Sequence, residues 1–160
     1  MNIILEVLFT LVLVILCFQD FKERKVSLSL LVLAILLGGS IHFQQQNRAV
    51  FLVAIAINVL IVFILFLIIG VYAKIKMKQP VFNVIGLGDL FFFMVLAVSF
   101  PTLSFLVLFV FSLIFSWSIF MLIKQHLKEE TVPLAGLQSL FLMLVLMTNW
   151  ITNSFDLFAM

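Results

Sequence analysis

The chain has 160 residues, 66% of them hydrophobic and 10% charged, with a formal net charge of +2. A soluble domain is nearer half apolar and a quarter charged, so this composition excludes an ordinary soluble enzyme and predicts a polytopic membrane protein. The single cysteine, Cys17, rules out an intrachain disulfide or a cysteine-based zinc site, and so small a charge gives no reason to expect nucleic acid as a partner.

Taken in order, hydropathy predicts six membrane-spanning helices over residues 2–19, 28–43, 49–73, 84–100, 102–123 and 133–151. Helices are expected because backbone groups in lipid must be satisfied within the segment, and no alternating barrel pattern is visible. Met1-Asn2-Ile3-Ile4 lacks the basic region of a cleavable signal peptide, so the first helix is expected to stay as a span. The second and fourth are short for a hydrocarbon core of ~30 Å, a mismatch that flanking polar groups or neighbouring helices can absorb. Ser27, Asn83 and Thr131 precede apolar runs as candidate N-caps, and Pro133 suits a first helical turn, where its missing N–H does no harm.

Loop charge predicts the orientation. The connections at 20–27, 74–83 and 124–132 carry Lys22, Arg24 and Lys25, then Lys74, Lys76 and Lys78, then Lys124 and Lys128. The alternate connections carry only Arg48. This positive-inside asymmetry puts the three basic loops in the cytoplasm and both termini outside. Asp20, ending the first span, and Asp89, near the start of the fourth, then fall at the same membrane face. The basic loops also suit anionic headgroups.

Two such acids suggest a specific chemistry. Like charges a few ångströms apart resist ionising together, so a pair shares a proton. The ionised member can activate a water for attack on a peptide carbonyl while the protonated member donates to the carbonyl oxygen. Gly86 and Gly88, just before Asp89, leave room for a substrate backbone to approach. No metal or other cofactor is required. The duller alternatives are a helix N-terminal acid for Asp89 and a loop acid paired with Lys22 or Arg24 for Asp20.

Other polar residues read as structural. Glu6 is expected to snorkel to water near the outer face, with a structural partner in the bundle as the alternative, and Asn58, midway in the third span, to bond across helices. His42 and His126 are expected at opposite interfaces, too far apart to share a metal, and Trp150 in an aromatic belt. Phe91-Phe92-Phe93 reads as lipid contact and packing, Gly38-Gly39 as a close helix contact, and Asp156 as too far out to join the acidic pair.

Gly86-Leu87-Gly88-Asp89 resembles the GxGD signature of intramembrane aspartyl proteases. Asp20-Phe21-Lys22-Glu23-Arg24-Lys25-Val26-Ser27 is similar to the other aspartate motif of the type IV prepilin peptidase family: an acid, a basic stretch, an aliphatic residue, then a proline that is replaced here by Ser27. Val132-Pro133-Leu134 is similar to a proline-containing stretch opening that family's last helix. Phe91 stands where many members have lysine, which bears on substrate preference more than on the acids. The resemblance implies a single peptidase domain over 1–160, an all-α bundle of six transmembrane helices, N-out/C-out, with Asp20 and Asp89 catalytic. It implies a pilin-like precursor as substrate, cut between basic leader and apolar helix at the cytoplasmic face of a bacterial or archaeal membrane. A cysteine-rich methyltransferase domain is not expected from one cysteine.

Two other functions fit part of this pattern. A presenilin-like or signal-peptide-peptidase-like protease would cut within a span, although Pro133-Leu134-Ala135 only partly echoes the Pro-Ala-Leu motif of those proteins. A non-enzymatic transporter or assembly protein would more often show ionisable groups at the membrane midplane or internal repeats, and neither is seen.

Overall fold

The structure is a computed structural model that describes residues 3–78, 86–124, 132–152 and 157. The described residues form six α-helices: α1 (Ile3–Glu23), α2 (Leu28–Gln45), α3 (Arg48–Tyr72), α4 (Leu87–Ser99), α5 (Thr102–Ile123) and α6 (Leu134–Thr152). A π-helical turn, Ala73–Met77, extends α3 and ends at Lys78, whose φ of 52° is left-handed. The predicted caps Asn83 and Thr131, with His126, Lys128 and Asp156, lie outside the described residues. Ser27 does stand at the N-cap of α2, but its side chain makes no cap bond and meets Ser29 Oγ instead.

Five helices are long and apolar enough to cross a membrane. The fourth is a correction: α4 has 13 residues rather than the 17 implied by hydropathy, and covers only about 20 Å. Its ends have local causes. Gly86 is extended at the N-cap, and its carbonyl accepts from the N–H groups of Asp89 and Leu90. Phe100 is extended at the other end because the residue before a proline, here Pro101, is steered away from helical angles.

Short as it is, α4 is the centre of the bundle, packed against α2, α3, α5 and α6. It buries Phe92, Phe93, Val95, Leu96 and Ala97, with Phe93 edge-on to Phe109 of α5 at 5.0 Å between ring centroids. Phe92 and Phe93 therefore pack inside the protein rather than against lipid, while Phe91 is half-buried. A helix enclosed in this way need not match the bilayer thickness by itself. The outer helices show the opposite pattern, leaving Ile15, Phe18, Leu52, Phe63, Phe111 and Trp117 exposed. Such a surface suits hydrocarbon.

Lipid supplies no hydrophobic drive to pair helices, so close packing and buried hydrogen bonds must do so. Gly38 and Gly39 bring α2 against α4: a Cβ on Gly38 would lie 2.8 Å from Ser99 Cβ, and one on Gly39 would lie 2.9 Å from Val98 Cγ1. Asn58 of α3 donates through Nδ2 to the carbonyls of Ala97 and Phe100, both at 2.9 Å, closing the last turn of α4. The expected interhelical role of Asn58 is borne out.

Two polar residues near span ends are buried against distant partners. His42 is fully buried among the helices, with Nδ1 donating to the Val98 carbonyl at 2.9 Å. Glu6 is 6% exposed and does not snorkel, because its Oε2 accepts from Trp150 Nε1 at 2.7 Å. In each case a partner far along the chain replaces water.

Candidate functional site

The site is built around the first turn of α6. A helix begins with N–H groups that have no partner within it, and each must be satisfied elsewhere. Pro133 brings no N–H at all. The Leu134 N–H donates to the Val132 carbonyl at 2.9 Å, and the Leu137 N–H to the Pro133 carbonyl at 3.0 Å. Between them, the Ala135 N–H donates to Asp89 Oδ1 at 2.9 Å and the Gly136 N–H to Asp20 Oδ2 at 2.6 Å. Two consecutive peptide groups thus hold two carboxylates from helices far apart in sequence.

Asp20 comes from the last turn of α1. That helix stops at Arg24, which takes a left-handed φ of 53° and donates its N–H to the Asp20 carbonyl at 3.1 Å. The chain then folds back, and the Ser27 N–H donates to Gln19 Oε1 at 3.0 Å. Asp20 is 6% exposed, which removes the reading of a solvated loop acid paired only with its basic neighbours. Asp89 lies in the first turn of α4 and is half-buried. The α1–α2 connection also covers the start of α4: Val26 lies where a Cβ on Gly88 would meet it at 3.4 Å. The two sequence motifs therefore touch each other as well as α6.

The positive end of the α6 dipole faces both acids, and anions at helix N-termini are favoured by this field. The same field offsets part of the repulsion that two neighbouring carboxylates exert on each other.

A family comparison bears on this arrangement. Residues 7–148 match the model of the type IV leader peptidase family, a stretch that includes both aspartates and the first turn of α6. The chain belongs to that family.

Type IV leader peptidases are aspartic-type endopeptidases, and with five candidate membrane spans this one is an integral protein of the cytoplasmic membrane. Searches of curated proteins and of solved structures each return no significant match. In this leader peptidase, Gly86 and Gly88 do different things. A Cβ on Gly86 would stand 3.1 Å from Asp89 Oδ2, so the missing side chain leaves room beside that oxygen. At Gly88 the same atom would make only an ordinary contact with Val26.

Gly136 is the site residue that sequence reasoning missed. A Cβ there would stand 2.9 Å from both Cβ and Oδ2 of Asp20, so the 2.6 Å hydrogen bond exists only because residue 136 has no side chain. The clue in the sequence was Pro133 followed closely by Ala135 and Gly136, a helix start with small residues and unclaimed N–H groups. Sequence reasoning assigns Pro133 to a first helical turn and gives the backbone of Ala135 and Gly136 no role.

Proposed function

We propose that Asp20 and Asp89 are the catalytic dyad of this leader peptidase, and that it removes the basic leader of pilin-like precursors at the cytoplasmic face. The observation that carries this reading is the pair of consecutive N–H groups, from Ala135 and Gly136, on which the two carboxylates rest. Each aspartate spends one oxygen on the backbone, leaving Asp20 Oδ1 and Asp89 Oδ2 to hold a water jointly. The ionised member takes a proton from that water as it attacks the scissile carbonyl. The protonated member donates to the carbonyl oxygen, and the leaving nitrogen is protonated as the intermediate collapses. The dyad titrates as a unit, so acid and base are roles of the pair.

The orientation supports the substrate. Eight of the nine basic residues lie in the connections 20–27, 74–83 and 124–132, and by the positive-inside rule this supports termini outside and a dyad beside the inner leaflet. A precursor helix lying in lipid would present the junction with its basic leader at that depth. Cleavage needs no metal or other cofactor, since the water and the two acids supply the nucleophile and both proton transfers.

The test is co-expression of a pilin-like precursor with the wild type, Asp20→Asn and Asp89→Asn, followed by mass mapping of the product N-terminus. The expected result is a cut between basic leader and apolar helix with the wild type alone. A cut inside the apolar helix would move the reading to the presenilin-like class, and full processing by either variant would end the proposed dyad.

A further inference from the structure

We propose that the bond between Glu6 and Trp150 sets the axial register of α6 against α1, and through it the placement of the two N–H groups that hold the aspartates. This rests on the dyad reading above and adds two positioning residues to it, distant from the reacting atoms. Helices α1 and α6 form one of the two most extensive helix contacts in the bundle. They are tied at both ends by an acid on α1. At one end Asp20 Oδ2 accepts from the Gly136 N–H at 2.6 Å, and at the other Glu6 Oε2 accepts from Trp150 Nε1 at 2.7 Å.

The spacing makes the ties a matched pair. Glu6 and Asp20 are 14 residues apart, and so are Gly136 and Trp150. Fourteen residues are close to four helical turns, so both members of each set face the same way, with about 21 Å between the ties on either helix. Between the ties the packing is apolar, and it gains from a directional restraint at each end. Phe9, Leu13 and Leu16 of α1 and Leu142 and Leu146 of α6 are buried apolar side chains, and dispersion contacts of this kind are individually weak and non-directional. A directional bond at the far end is what resists sliding.

Glu6 is also too well buried to be explained by solubility. It is 6% exposed inside a span, where an acid is costly and is kept mainly for a specific partner. The Thr10 hydroxyl donates back to the Glu6 carbonyl at 2.8 Å, which satisfies that buried hydroxyl within α1 and leaves the Glu6 carboxylate to reach across to α6.

The experiment uses the full chain in lipid nanodiscs, with a pilin-like precursor peptide as substrate. The variants are Trp150→Phe, which loses the indole N–H; Glu6→Leu, which loses the acceptor; and Glu6→Gln, which keeps an acceptor oxygen at the same reach. We expect Trp150→Phe and Glu6→Leu each to lower kcat about tenfold or more with KM little changed, the double variant to be no worse than either, and Glu6→Gln to stay near wild type. A second readout comes from the amide resonances of protein labelled with 15N-glycine, which contains six glycines. The Gly136 resonance should move in Trp150→Phe and Glu6→Leu and hold its place in Glu6→Gln. A wild-type kcat and an unmoved Gly136 resonance in Trp150→Phe would overturn the register proposal. If Asp20→Asn and Asp89→Asn are inactive in the same assay, the dyad survives that failure. If they are active, the dyad reading fails independently of the Gly136 shift.

Discussion

Replacing Gly136 by alanine is the sharpest perturbation of the site, because it adds one methyl group where α1 and α6 touch. The new Cβ would lie 2.9 Å from Asp20 Cβ, 2.9 Å from Oδ2 and 3.3 Å from Cγ. Carbon atoms prefer separations of about 3.5–4.0 Å, so the Cβ–Cβ approach is too close by roughly 0.6–1 Å. Side-chain rotation cannot relieve it, since Asp20 Cβ moves only with the α1 backbone. The helices must part, and the 2.6 Å bond to the Gly136 N–H must lengthen or break. A charge-assisted bond of this kind contributes about 1.5–3 kcal/mol, and a misplacement of about 1 Å in a catalytic group can cost on the order of 100-fold in rate. We therefore expect Gly136→Ala to fold, with about 1–3 kcal/mol less stability, and to cleave on the order of 100-fold more slowly. The assay is single-turnover cleavage of a labelled precursor peptide in nanodiscs. Gly86→Ala, whose Cβ meets the movable Asp89 Oδ2 at 3.1 Å, should fall between Gly136→Ala and Gly88→Ala, whose Cβ finds only Val26 at 3.4 Å. A Gly136→Ala enzyme cleaving within about threefold of wild type would refute the steric reasoning.

Two further predictions concern the frame that positions α4. Asn58→Ala removes both donations to the Ala97 and Phe100 carbonyls and should destabilise the protein by about 1–3 kcal/mol, read as a lower midpoint of thermal unfolding in detergent. Gly38→Ala forces its new methyl against Ser99 Cβ and should cost about 1–3 kcal/mol by the same measurement. Adding Ser99→Gly to it removes the opposing side chain, so the double variant should recover part of that loss; no recovery would place the strain elsewhere.

Much of the architecture was legible because lipid imposes long apolar runs, and five of the six helices follow those runs closely. Hydropathy misjudged α4, since it measures apolarity and not the Gly86 cap or the extended Phe100 that bound the helix. The aspartates were legible from their motifs and from the alternation of loop charge. What held them was not. The Ala135 and Gly136 N–H groups carry no side-chain signature, and the need for glycine at 136 is visible only once Asp20 stands opposite. The partners of Glu6 and His42 were hidden for a related reason: a polar residue near a span end shows no partner until Trp150 or the Val98 carbonyl is brought to it by the fold.

The central claim is that the carboxylates of Asp20 and Asp89 act as one unit on the α6 N-terminus. Asparagine at either position keeps a carbonyl oxygen able to accept the same backbone N–H, so it removes the proton chemistry while leaving the geometry nearly intact. Single-turnover cleavage by purified Asp20→Asn, Asp89→Asn and the double variant measures this directly. The account predicts that all three fall to one common floor, at least ~1,000-fold below wild type, because groups acting as a unit are not additive. Either single variant retaining more than about a tenth of the wild-type rate, or a double variant far slower than both singles, would contradict it.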